Sequence, residues 1–148
     1  MELKFVKQHI QISSSAERIL EAFVRIEDLS KWWGVEKCNI ELKKGGLYIL
    51  LWGVSENGVK YTSTGIVESF ISDRILHIRD AAYISTDRPI LGPVEMILKV
   101  ESIEENSSKL FVEQGPYPQI NKHWNWYYES VEEGWKNVLP NLKKYLEV

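Results

Sequence analysis

A single cysteine, no apolar run of membrane-spanning length and no excess of either charge mark this chain of 148 residues. Cys38 has no second cysteine to pair with, so no intramolecular disulfide can form, and the lack of a disulfide framework suits a reducing compartment. The opening residues, MELKFVKQHIQIS, alternate like a strand and lack the apolar centre of a secretory leader, so a cytoplasmic protein is expected. No segment approaches the roughly 20 apolar residues that cross a bilayer, which predicts no membrane insertion. Net charge is −3, with 18 Lys and Arg interspersed among 21 Asp and Glu, so there is no basic field for nucleic acid.

Chemical motifs are scarce as well. His9, His77 and His123 are far apart and show no HxxxH or HExxH spacing, so no metal is expected. A Gly-x-Ser-x-Gly elbow, a phosphate loop and a dinucleotide fingerprint are all missing, so no cofactor is expected either. Cys38 has only Lys37 as a basic neighbour, too little to tune a thiolate. His77, Arg79 and Asp80 lie close together, but the phase of Leu76 and Ile78 turns the first two to solvent. Nothing here assigns a catalytic residue.

What the chain does have is order. Its length suits one domain over residues 1–148, able to bury roughly 70% of its unfolded surface. Val6, Ile10 and Ile12 alternate with Lys7 and Gln11, the period of a half-buried strand. Ser14 and Glu17 then have the spacing of a capping box ahead of the apolar set Ile19, Leu20, Phe23 and Val24, with Glu21 and Arg25 one turn apart on the wet side. A second short helix is predicted over Asp28 to Trp33, closed by Gly34. Turn signals at Gly45-Gly46, Asn57-Gly58, Ser72-Asp73 and 105–108 divide the middle of the chain into strands near 38–43, 46–54, 59–71, 74–80, 93–103 and 109–115. Asn57-Gly58 suits a type I′ hairpin, and Val94, Met96, Leu98 and Val100 against Glu95, Lys99 and Glu101 predict a strand dry on one face. The stretch between Ala81 and Pro93 reads as a surface loop, and 115–118 as the loop before the last helix.

The last quarter carries the strongest pattern. Trp124, Tyr128, Val131, Trp135, Val138, Leu142 and Tyr145 recur at spacings of four and three, which sets seven large side chains along one side of a helix starting near Asn121 or Asn125. Pro140 should kink it near Lys136, and Gly134 permits close approach to a sheet. Glu129, Glu132, Glu133 and Lys136 form its solvated side. One long helix and an antiparallel meander each need a surface to bury against, so an α+β fold is expected.

Specific residues agree with that order. Residues 15–23 (SAERILEAF), 29–34 (LSKWWG), Gly45-Gly46-Leu47-Tyr48, Gly65-Ile66-Val67-Glu68, Asp73-Arg74-Ile75-Leu76 and Gly134-Trp135 together resemble the heat-shock protein 90 ATPase-activator-homologue-like family, within the helix-grip superfamily of START lipid-binding and birch-pollen-allergen-like proteins. The resemblance implies a curved seven-stranded antiparallel sheet wrapped around the C-terminal helix, two short helices after the first strand, and a cavity between sheet and helix. Relatives in that superfamily bind lipids, sterols, polyketides or plant hormones, and a few are cyclases or aromatases.

Six tryptophans and seven tyrosines supply flat walls for such a cavity. The residues expected to meet a small apolar or aromatic ligand are Trp33, Tyr48, Trp52, Tyr61, Ile78, Met96, Gln114, Tyr128 and Trp135. Gln114 stands out as a polar residue at the inward phase of a strand that carries Leu110 and Val112. Tyr83 and Ile84, in the stretch read as a loop, are the candidate gate. Three other functions stay open at this stage: a co-chaperone-like surface with a chaperone partner, a cyclase- or hydrolase-like enzyme acting in the same cavity, and homodimerisation.

Overall fold

The structure is a computed structural model that describes residues 2–148. In chain order its elements are β1 (Leu3–Ile12), α1 (Ala16–Glu21), α2 (Ile26–Trp32), β2 (Lys37–Ile40), β3 (Tyr48–Ser55), β4 (Gly58–Ile71), β5 (Ile75–Ser85), β6 (Leu91–Glu104), β7 (Ser107–Pro118) and α3 (Lys122–Leu146). The strands form one antiparallel sheet in the order β1-β7-β6-β5-β4-β3-β2. This is the helix-grip α+β arrangement that the sequence implies. Among the described residues, no helix is long and apolar enough to cross a membrane.

Alternation builds the sheet's inner face. Val6 and Ile12 from β1, Val94, Met96, Leu98 and Val100 from β6, and Leu110 and Val112 from β7 are all buried. The α1–α2 pair and α3 cover that face. Asn121 caps α3, its Oδ1 accepting from the backbone N–H of His123 and of Trp124 at 3.0 Å each. The helix continues through Pro140, which has no N–H to offer the Lys136 carbonyl.

Several boundaries differ from expectation, each for a local reason. Ser15 rather than Ser14 caps α1, its Oγ accepting from the N–H of Arg18 at 3.1 Å, while the Ser14 carbonyl accepts from Ser108 Oγ. The second helix starts earlier, at Ile26, and Gly34 closes it with φ +72° as expected. At the β3–β4 hairpin Ser55 pairs with Gly58, so Glu56 and Asn57 form the turn, and Gly58 alone of the Asn-Gly pair takes positive φ.

The stretch from Ala81 to Pro93 is the main correction. It is no long loop: β5 runs on to Ser85 and β6 begins at Leu91, leaving residues 86–90 as the connection. Bulges absorb what reads as punctuation in the sequence. The β5–β6 register shifts between Ile78 and Ala81, where Asp80 has φ 51°, and again between Ala81 and Tyr83, opposite Gly92 and Pro93. Likewise 115–118 is strand, not loop. The β1–β7 register shifts there, and Gly115 is required because a Cβ would lie 2.9 Å from the Lys4 carbonyl oxygen. Past this bulge the inward phase changes, so that Tyr117 rather than Pro116 is buried.

Candidate functional site

Between α3 and the sheet lies a cavity of about 530 Å³. Its walls are largely aromatic: Trp33, Trp52, Trp126, Trp135, Tyr61, Tyr83 and Tyr127 all line it. The local sequence explains each position. Trp33 is the C-cap of α2, and the turn at Gly34 leaves its carbonyl free to accept the Trp52 indole N–H at 3.1 Å. The Trp33 ring packs against Trp52 and Trp135, with centroids 5.7 and 5.3 Å away. Tyr61 and Tyr83 stack across β4 and β5 at 6.1 Å.

Gln114 is the best-defined polar group. Trp135 donates its indole N–H to Gln114 Oε1 at 2.8 Å. Because an indole nitrogen can only donate, this bond fixes the amide's orientation; burial pushes the neighbouring Tyr117 phenol well up, and the Gln114 side chain opposes that rise. Ser63 and Ser130 add hydroxyls. Burial, then Tyr61 and Asp87, push the Tyr83 phenol up to about 12. Burial also pushes Tyr127 up to about 12, with the Tyr83 backbone opposing and its ring reinforcing the shift. Both are therefore neutral hydroxyls at ordinary pH. Glu36 is the one carboxylate among the described residues of the lining, and its Oε2 accepts the backbone N–H groups of Gly53 and Val54.

Of the residues expected to meet a ligand, Trp33, Trp52, Tyr61, Met96, Gln114 and Trp135 line the cavity, as does Tyr83. Tyr48, Ile78, Tyr128 and Ile84 do not. Tyr48 is 2% exposed, and its hydroxyl donates to the Phe23 carbonyl at 2.7 Å. Together with the Trp32 indole, which donates to the Ala22 carbonyl at 2.8 Å, it satisfies the open carbonyl end of α1. Ile78 occupies the space over Gly65, where a Cβ would meet its Cγ2 at 2.3 Å. Tyr128 turns aside, its hydroxyl donating to Glu132 at 3.0 Å and its ring lying under Lys4 Nζ at 5.1 Å. Ile84 follows Tyr83 in β5, and alternation sets it on the other face.

Trp126, Tyr127, Val131, Gly134 and Val138 of α3 also line the cavity. Trp126 and Tyr127 lie outside the expected stripe. A signal for Tyr127 is present in the sequence: it stands four residues before Val131 and eight before Trp135, a spacing that fits the 3.6-residue turn as well as the one through Tyr128. Ala81 and Ala82 both join the lining where two register shifts of β5 against β6, at Ile78/Ala81 and Ala81/Tyr83, break strict alternation.

Opposite the cavity's end of α3, the helix is fastened down. Arg18 reaches Asp28 with both terminal nitrogens at 2.8 Å, and Tyr145 donates to Asp28 Oδ1 at 2.6 Å. Among the described residues, no three His, Cys, Asp or Glu side chains gather as metal ligands.

The family model described as activator of Hsp90 ATPase homolog 1-like protein matches residues 13–147. No curated protein matches the chain in sequence. Solved structures share its fold across almost its whole length. The Aha1 dimer from Colwellia psychrerythraea superposes with a TM-score of 0.72 at 17% identity, covering 98% of this chain and 97% of that one. An Hsp90 activator from Plasmodium falciparum gives 0.73 at 18% identity, covering 96% and 95%. DynU16, from the dynemicin biosynthetic locus, gives 0.74 at 14% identity, covering 97% of this chain but 47% of the other. At such identities the likeness concerns the fold.

Proposed function

We propose, on the premise that this chain belongs to the activator of Hsp90 ATPase homolog 1-like family, that it binds a small hydrophobic or aromatic molecule between its sheet and α3. The observation that carries this reading is the cavity itself. About 530 Å³ walled by four tryptophans and three tyrosines falls within the roughly 300–1,000 Å³ usual for small-molecule sites. Its polar groups are few and convergent, as orientation of one ligand requires. Acid–base turnover has less support, since that chemistry needs at least two ionisable groups acting together and the lining offers one carboxylate beside neutral phenols. The β5–β6 connection is the proposed gate: Arg88 lies 4.0 Å over the Trp126 ring, and Tyr83 lines the space beneath.

Native mass spectrometry of gently purified protein, followed by a thermal-shift panel of apolar and aromatic molecules, tests the reading. A bound molecule at 100 times its Kd should stabilise the fold by about 2.7 kcal/mol. The absence of both a retained mass and a shift across the panel would count against it.

A protein partner, either a chaperone or a second copy of the chain, is the second reading. It draws on the exposed apolar residues Leu3 and Phe5 of edge strand β1 and nearby Ile120, and on the two relatives, one a dimer and one an Hsp90 activator. Light scattering across a concentration series separates monomer from dimer, and titration with Hsp90 tests the chaperone.

A further inference from the structure

We propose that the cavity selects by charge, admitting uncharged ring systems and turning away the same rings when they carry a carboxylate or sulfonate. The inference rests on the binding reading above and deepens it. Three observations carry it.

First, among the described residues the lining holds no cation. Its polar groups are an amide, serine hydroxyls, phenols and indoles, together with one carboxylate, Glu36. Second, cations do stand near the cavity, but each is engaged with a ring and neither belongs to the lining. Lys60 Nζ lies 5.3 Å from the Tyr61 centroid, and Arg88 lies 4.0 Å from that of Trp126. Asp87, next to Arg88 in the chain and held below its usual range chiefly by the Ser85 hydroxyl, adds an acidic group to the same connection. Third, the full charge that the described wall does carry is negative: Glu36 stands at the exposed rim, its Oε2 held by the Gly53 and Val54 N–H groups.

An anion entering this space leaves its hydration behind and finds no opposite charge in return. Hydroxyls and the Gln114 amide offer it dipoles, while the Glu36 carboxylate repels it. An uncharged ring system loses little on desolvation and gains the aromatic walls, with the Ser63 and Ser130 hydroxyls among the lining for a polar atom.

A pair of fluorescent probes isolates the effect. N-phenylnaphthylamine and anilinonaphthalene sulfonate share their rings and differ by the sulfonate. Both accept energy from tryptophan, and four tryptophans line the cavity. The neutral probe should bind with saturable energy transfer, and the sulfonate should compete for that site roughly tenfold more weakly or worse. A sulfonate that binds without displacing the neutral probe sits elsewhere and agrees with the selection. Ser130→Lys, which brings a cation into the wall from α3, should narrow or invert the preference. Ser63→Lys, from the opposing strand, makes the same test should the first variant fold poorly.

Equal mutual displacement in the unmodified protein would overturn the charge selection while leaving the binding site intact. Failure of the neutral probe to bind would overturn both readings. A preference unchanged in both folded lysine variants would also overturn the selection, because it could not then arise from the charge of the wall.

Discussion

Leu139 and Leu142 in the last turns of α3 and Trp126, Tyr127 and Val131 in its first turns belong to one helix on one sheet, yet their surroundings differ. The late residues are 3% and 0% exposed and packed on all sides, whereas the early ones, even Tyr127 at 4% exposed, border about 530 Å³ of unfilled space. The difference lies in what comes between. The short pair α1 and α2 follows β1, and its side chains Ile19, Leu20 and Leu29, with Phe23 in the link between the helices, are fully buried. Asp28 from α2 takes Arg18 and Tyr145 together and ties both short helices to the end of α3. Lys143 and Glu147 fasten the same end to the end of β1 and the turn after it, through the Gln11 carbonyl and the Ser13 N–H, both at 2.7 Å.

Among the described residues no such filler covers the first half, and the sheet there is bulged at Asp80, Gly92 and Gly115. Bulges bend strands and widen the space beneath the helix. Trp135 is the partition: its ring meets Phe23 at 6.4 Å on the packed side and Trp33 at 5.3 Å, while its N–H holds Gln114 on the hollow side. A helix-grip fold thus contains a hollow where its short helices stop reaching.

The contrast can be broken most sharply by truncation. Leu142→Ala should lower the unfolding free energy by about 3 kcal/mol, because a filled site leaves a new void, whereas Val131→Ala should cost about 1 kcal/mol or less. Urea titration measures both, and equal losses would erase the distinction between the halves.

Next in size is the tie at Asp28. Asp28→Asn should cost about 2 kcal/mol by removing the buried anion that takes both Arg18 and Tyr145, leaving Arg18 only the half-exposed Glu21 carboxylate. Hydrogen bonding from Arg18, opposed by burial and reinforced by Tyr145, holds the Asp28 carboxyl below its usual 3.8. A carboxyl whose pKa is lower folded than unfolded contributes fully above the unfolded value and loses that contribution as pH falls through the folded one. Stability should therefore drop below about pH 4 in the parent and less steeply in Asp28→Asn, as denaturation across a pH series would show.

Filling the hollow half sharpens the comparison from the other side. A Cβ on Gly134 would meet nothing within 4 Å. Gly134→Leu should raise stability by about 0.5–1 kcal/mol through helix propensity and weaken neutral-probe binding about tenfold by crowding the cavity. Thermal melts and probe titration read the two effects, and unchanged probe affinity would place the ligand elsewhere.

The smallest effect belongs to the gate. Arg88→Met removes an exposed cation–π contact of about 0.5–1 kcal/mol, so stability should barely change while probe association and dissociation both quicken about threefold. Stopped-flow rates identical to the parent's would deny the β5–β6 connection any gating role.

Much of the fold is legible in the sequence, and the misses have physical causes. The α3 stripe can be read because large side chains at spacings of three and four have few other uses. Its exact inner row cannot, since Tyr127 and Tyr128 both fit a 3.6-residue period and only contact with the sheet, Lys4 and Glu132 separates them. Gly92-Pro93 and Gly115-Pro116 read as loop because glycine and proline usually end strands, whereas here bulges take them into β6 and β7. Tyr48 reads as a cavity wall by strand phase, and nothing local announces that the Phe23 carbonyl, 25 residues away, claims its hydroxyl.

The sequence by itself determined the order of elements, the apolar faces and the supply of aromatic rings, because each of these comes from periodicity along a few turns or a few strand residues. Only the tertiary structure decided which rings fill space and which surround it. That choice depends on where α1 and α2 cover the sheet, how the bulges reset strand phase, and which carbonyl or amide each polar tip reaches, all of which join residues far apart in the chain.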